Sequence, residues 1–153
     1  MLKSILEALL EINTQLNVLF PVHPRMRQRI AEWGLTTGKL HLLEPIPYLE
    51  FLALQRRATV IITDSGGVQE ESTYLGVPCL TLRENTERPI TVSLGTNTLV
   101  GQDKKKLSAE SSNILAGKLK KGVVPLLWDG MRESVSRRFC VVSFKDRVRQ
   151  LCS

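Results

Sequence analysis

The chain has 153 residues, the length of one domain able to bury a sizeable core, with 42% apolar and 24% charged residues. That composition excludes a disordered or collagen-like polymer, and no apolar run approaches the ~20 residues needed to cross a bilayer. The net charge of +6 is confined to the last third: residues 1–102 carry nine Lys and Arg against ten Asp and Glu, residues 103–153 twelve against five.

Leu2, Ile5, Leu6, Leu9, Leu10, Ile12 and Leu16 recur at helical spacing, which predicts a first helix reaching Leu16. The Glu residues within it and the missing small-residue cleavage site argue against a signal peptide. A short apolar strand, 17–22, ends at His23-Pro24-Arg25, the carboxyl end where open α/β sheets bind their ligands. A basic helix to Trp33 and a strand at 40–43 follow. Pro47, a favoured first-turn residue, opens a helix carrying Phe51.

The most informative stretch is Thr59-Val60-Ile61-Ile62-Thr63-Asp64-Ser65-Gly66-Gly67-Val68-Gln69-Glu70-Glu71. Its β-branched run reads as a buried strand, Asp64-Ser65 as turn and cap, and a helix is expected from Val68 to the break at Gly76-Val77-Pro78. Strand, glycine turn and helix aim backbone N–H groups at one point, and the helix dipole adds about 0.3–2 kcal/mol in favour of an anion there. Glu71, one turn on, could accept hydrogen bonds from the hydroxyls of the same ligand. Phosphate and sugar hydroxyl together describe a nucleotide.

A strand at 79–82 leads to the charged loop 83–89, where Arg88 fits either a phosphate ligand or a surface ion pair. A strand at 98–100 and a Lys- and Ser-rich helix from Asp103 to Leu119 follow. The run 137–144 looks more like a strand than a closing helix. Alternation of short apolar strands with helices argues for a doubly wound parallel sheet.

Cys79, Cys140 and Cys152 are odd in number and widely spaced, which fits a reduced, cytoplasmic compartment and neither a disulfide framework nor a metal site. The basic third contains only Trp128, Phe139 and Phe144 as aromatics, too few for a stacking platform, so a nucleic-acid partner is not expected.

In order, Phe20-Pro21-Val22-His23-Pro24-Arg25, the Thr63–Glu71 stretch, Thr86-Glu87-Arg88-Pro89 and Gly95-Thr96-Asn97-Thr98-Leu99-Val100-Gly101 resemble the carboxyl-terminal half of the non-hydrolysing UDP-N-acetylglucosamine 2-epimerases. The resemblance implies a Rossmann-like domain of a GT-B-like two-domain enzyme that interconverts UDP-N-acetylglucosamine and UDP-N-acetylmannosamine by eliminating UDP and adding it back. It implies that Ser65, Gly66 and Gly67 hold the diphosphate and Glu71 the ribose hydroxyls. Arg88 would lie at the pocket, His23 would line the cleft and Phe51 would pack near the uracil. It implies no cofactor and no catalytic residue here, because the family's catalytic carboxylates belong to the amino-terminal domain. The partners expected are UDP or a UDP-N-acetylhexosamine, a separate amino-terminal half or a second copy of the chain, and no membrane.

On this resemblance residues 1–130 form the UDP-binding domain without its first, central strand, which would lie upstream of Met1. Residues 131–153 form a divergent basic tail, as a shifted reading frame would produce. The same residues leave open a GT-B glycosyltransferase fragment and a non-catalytic UDP-sugar-binding module.

Overall fold

A computed structural model describes residues 2–125 and 139–143. The divergent segment 131–138 and the residues after Ser143 lie outside that description. Among the described residues six strands form one parallel sheet: β1 (Asn17–Pro21), β2 (His41–Leu43), β3 (Ala58–Thr63), β4 (Cys79–Thr81), β5 (Asn97–Leu99) and β6 (Phe139–Ser143). Their order is β2-β1-β6-β3-β4-β5. The helices are α1 (Leu2–Ile12), α2 (Pro24–Glu32), α3 (Tyr48–Arg57), α4 (Gly66–Leu75), α5 (Pro89–Ser93) and α6 (Lys104–Leu115). This is a Rossmann-like α/β fold.

Apolar spacing assigns the layers. Ile5, Leu6, Leu9 and Ile12 of α1, Met26 and Ile30 of α2, and Leu107 and Ile114 of α6 cover one face, over Val18, Phe20, Val60, Ile62 and Leu80. Phe51 and Leu54 of α3 with Val68 and Leu75 of α4 cover the other, over Ala58, Ile61 and Cys79. A strand covered on both faces needs no polar alternation, which is why β3 reads as one continuous apolar run.

Helix α1 stops at Ile12, earlier than its apolar spacing predicts. The Asn13 side chain accepts from the Val18 N–H at 2.9 Å and turns the chain into β1. Helix α4 starts at Gly66, two residues before the expected Val68, and ends at Gly76. Gly76 adopts φ 64°, a left-handed conformation open to glycine without a Cβ penalty, while the Val77 N–H returns to the Ser72 carbonyl at 2.9 Å. The five-residue α5 was not expected from the sequence.

The main difference from expectation is at the middle of the sheet. The central position, expected to be vacant, is filled by β6. Val18 and Leu19 of β1 register with Cys140 and Val141, and Ile61 and Ile62 of β3 register with Val141 and Val142. Residues 139–143 therefore belong to the sheet rather than to a tail set apart from it. The physical reason is that Cys140, Val141 and Val142 are apolar on both faces and all three are completely buried. Full burial contributes about 1.5–3 kcal/mol per valine, and the strand supplies hydrogen-bond partners to two edges at once. With β6 counted as the first strand, the order becomes the 3-2-1-4-5-6 of a doubly wound sheet.

Candidate nucleotide site

The glycine turn begins where β3 ends. The Thr63 hydroxyl accepts from the Ser65 N–H at 3.0 Å and folds the chain sharply into α4. Ser65 caps α4 in an extended conformation without a side-chain cap bond, and the first bond back to it comes from the Gln69 N–H at 3.2 Å. The N–H groups of Gly66, Gly67 and Val68 thus head the helix with no acceptor inside it. The Ser65 N–H is spent on Thr63, so Ser65 offers this corner its hydroxyl. A Cβ built on Gly66 would lie 3.8 Å from Cγ and 3.9 Å from Nε of Arg88, which places that guanidinium stem directly beside the bare helix end.

Arg88 is positioned from two sides. Its Nε lies 3.2 Å from Glu70 Oε1, a half-exposed pair. Its N–H donates to the Thr86 hydroxyl at 3.0 Å, and Thr86 donates to Gln69 Oε1 at 2.6 Å. Behind Gln69 the network continues inward. Asn97 Nδ2 donates to Gln69 Oε1 at 3.2 Å and to the Thr91 hydroxyl at 3.1 Å, and Thr81 donates to Asn97 Oδ1 at 2.7 Å. Thr91 closes the ring by donating to the Arg88 carbonyl at 2.7 Å. Gln69, Thr81, Thr91 and Asn97 are completely buried.

Glu71 lies one turn into α4 and faces α3. Its carboxylate accepts from Gln55 Nε2 at 2.5 Å and from the Tyr48 hydroxyl, whose pKa the Glu71 charge and hydrogen bond raise. Tyr48, Phe51 and Gln55 stand at positions i, i+3 and i+7 of α3, one face of the helix. Phe51, half-buried, therefore lies along the face that holds Glu71. His23 caps α2, its Nδ1 accepting from the Arg25 N–H at 3.4 Å, at the carboxyl end of β1.

The expected residues thus divide into three places. Ser65, Gly66, Gly67 and Arg88 converge at the amino end of α4, and Glu71 and Phe51 lie one turn along between α3 and α4. His23 stands across β6. Sequence reading missed Tyr48, Gln55, Gln69, Thr86 and Asn97, whose partners are distant in the chain. Only Gln69 carried a signal, a polar residue on the inner side of the helix that opens at the glycine turn.

The fold and the site define the class: a Rossmann-like doubly wound sheet whose glycine turn opens a helix, with a guanidinium beside that turn and a carboxylate one turn along. The chain belongs to the UDP-N-acetylglucosamine 2-epimerase family, whose sequence model matches residues 1–133. It is 49% identical over 113 residues to the UDP-N-acetylglucosamine 2-epimerase of Methanocaldococcus jannaschii, covering 69% of this chain and 31% of that protein. It is 42% identical over 120 residues to a UDP-2,3-diacetamido-2,3-dideoxy-D-glucuronate 2-epimerase of Pseudomonas aeruginosa, covering 76% and 33%. The crystal structure of the M. jannaschii enzyme in complex with UDP-GlcNAc and UDP superimposes with a TM-score of 0.69 at 46% identity, over 74% of this chain and 33% of that one. The chain spans about a third of the length of these relatives. Among the described residues, no helix is long and apolar enough to cross a membrane.

Proposed function

We propose that the chain is the UDP-holding domain of a UDP-N-acetylglucosamine 2-epimerase, corresponding to the carboxyl-terminal half of such an enzyme. The observation that carries this reading is Arg88 held against Gly66 at the open amino end of α4, with Glu71 one turn further along the same helix. The N–H groups of Gly66, Gly67 and Val68, the Ser65 hydroxyl and Arg88 receive the diphosphate. Glu71, oriented by Gln55 and Tyr48, accepts from the ribose hydroxyls. Phe51 packs near the uracil and His23 lines the cleft.

The names of the relatives support placing UDP, and not the sugar, on these residues. The M. jannaschii and P. aeruginosa proteins act on different sugars, and UDP is the part their substrates share. Removing a proton at C2 and assisting the departing UDP need an acid and a base with suitable pKa values, and these groups belong to a facing domain. A separate amino-terminal half, or a second copy of the chain, completes the cleft. The chain by itself holds the leaving group and does not epimerise.

Titration of UDP into the intact chain by calorimetry or NMR tests the reading. With one wall of the cleft contributing, the expected dissociation constant is about 1 mM, or ~4 kcal/mol. Uridine without phosphates should bind more weakly still, and equal binding of the two would remove the diphosphate assignment. Incubation with UDP-N-acetylglucosamine should give no UDP-N-acetylmannosamine, and turnover above background would overturn the assignment of the proton chemistry to a facing domain.

A further inference from the structure

The sheet is continuous only through β6. Among the described residues β1 pairs with β2 and β6, β3 pairs with β4 and β6, and no backbone ladder joins β1 to β3. Without β6 a two-stranded and a three-stranded piece would face each other across two strand spacings, about 10 Å. The N–H and C=O groups along that gap would lose their partners inside the protein.

The same gap runs through the candidate site. His23 follows β1 and the glycine turn follows β3, so β6 fixes the distance between them. Ser143, the end of β6, registers with Thr63, the residue from which the turn springs. Val141 belongs to the small core that contains Val68 of the first turn of α4 and packs against Phe51 of α3. The strand therefore supports from below both the helix end that seeks an anion and the helix that orients Glu71.

We propose that β6 is a detachable, site-assembling strand: its insertion between β1 and β3 builds the nucleotide site, and bound nucleotide in turn holds it in the sheet. It is the last described strand in sequence yet lies in the middle of the sheet, so it can leave without breaking the β2-β1 and β3-β4-β5 pairings. Its ladder with β3 also carries a register irregularity, opposite Ala58–Val60, that no other described ladder shows. Linkage requires reciprocity: whatever factor β6 insertion contributes to nucleotide affinity, nucleotide contributes to β6 insertion. The ligand identity rests on the UDP reading above, whereas the slot is a property of the sheet.

The test uses the two buried thiols of the intact chain, Cys140 in β6 and Cys79 in β4. Under native conditions an alkylating reagent, read by peptide mass spectrometry, should modify Cys140 faster than Cys79, because only Cys140 is freed when β6 leaves. UDP at ten times its dissociation constant should slow Cys140 about elevenfold. Val141→Ala should raise the Cys140 rate, and UDP at ten times its dissociation constant should still slow that faster rate about elevenfold. One common rate for both thiols with and without UDP would overturn the proposal. So would a Val141→Ala chain whose faster Cys140 modification UDP no longer slows. No UDP binding at all, with Cys140 still outpacing Cys79, would instead overturn the nucleotide reading and the coupling built on it, leaving the detachable strand.

Discussion

Two of the polar clusters that join distant parts of the described chain differ in what surrounds them. Behind Arg88, Gln69, Thr81, Thr91 and Asn97 bond to one another in complete burial. Between α1 and α6, Lys104 Nζ lies 2.7 Å from Glu11 and 3.4 Å from Glu7, and Ser108 donates to Glu11 at 3.0 Å, all in contact with solvent. The exposed cluster holds full charges and the buried one holds none. The buried one nevertheless matters more, because a group stripped of its partner there cannot turn to water, whereas Lys104 and Glu11 can. The Arg88–Glu70 pair lies between these extremes, half-exposed and in front of the buried network.

Substitutions can break or sharpen that contrast. The largest effect is expected for Asn97→Leu, which removes two donors and an acceptor at once and leaves the Thr81 hydroxyl without its partner. It should cost about 3 kcal/mol in urea unfolding, and an unchanged midpoint would mean that the network is not a unit. Next comes Thr86→Val, which cuts the link between Gln69 and the Arg88 backbone. It should cost about 1 kcal/mol and weaken UDP severalfold although Thr86 need not touch the ligand. Weakened stability with unaltered UDP affinity would deny it a positioning role.

Arg88→Ala should leave stability within about 0.5 kcal/mol and weaken UDP at least tenfold, the converse pattern. The reverse result would make Arg88 a surface brace and not a ligand. The smallest effect is expected for Lys104→Met. Its hydrogen bonds to Glu11 raise the Lys104 pKa, and those from Lys104 and Ser108 lower the Glu11 pKa. A lowered carboxyl contributes stability above its unfolded pKa and loses it as pH falls through the folded value. A raised amine contributes below its unfolded pKa and loses it as pH rises through the folded value. The pair should therefore flatten at the acid and alkaline ends, and salt should erase the difference between wild type and Lys104→Met at neutral pH. A large, salt-resistant loss would show that exposure is not what separates the clusters.

The buried thiols also record the contrast. Burial pushes Cys79 up to about 11 and raises Cys140 further, so neither is a thiolate at neutral pH. They lie on opposite faces of the sheet, Cys79 over the α3–α4 core and Cys140 in the larger one, and cannot bridge to each other. In the intact chain they are probes of opening rather than reactive groups.

Much of the frame was legible from residue order. The β-branched run 59–63, the two glycines after Ser65 and the Gly76 stop mark β3, the turn into α4 and the end of α4, because each depends on neighbours within a few residues. Arg88 and Glu71 were legible for the same reason, as charges set on a loop and a helix next to that turn. The start of α4 was misplaced by two residues because Gly66 and Gly67 take helical, not left-handed, conformations, and glycine alone does not say which. Gln55, Thr86 and Asn97 were invisible as site residues. Their partners lie 16 to 28 positions away, and only packing of α3 on α4 and of β5 beside β4 brings them together.

Residues 139–143, within the run read as a strand at 137–144, show the division most plainly. Their apolar, β-branched character determined by itself that they would be a strand, since that preference is local. Where they would pair was decided by the tertiary structure, because a strand apolar on both faces fits any covered parallel position. The open edges of β1 and β3 and the two helix layers above and below them select the central slot. Strand identity is a matter of neighbours in sequence; strand position is a matter of which hydrogen-bonding edges remain unsatisfied once the rest of the chain has folded.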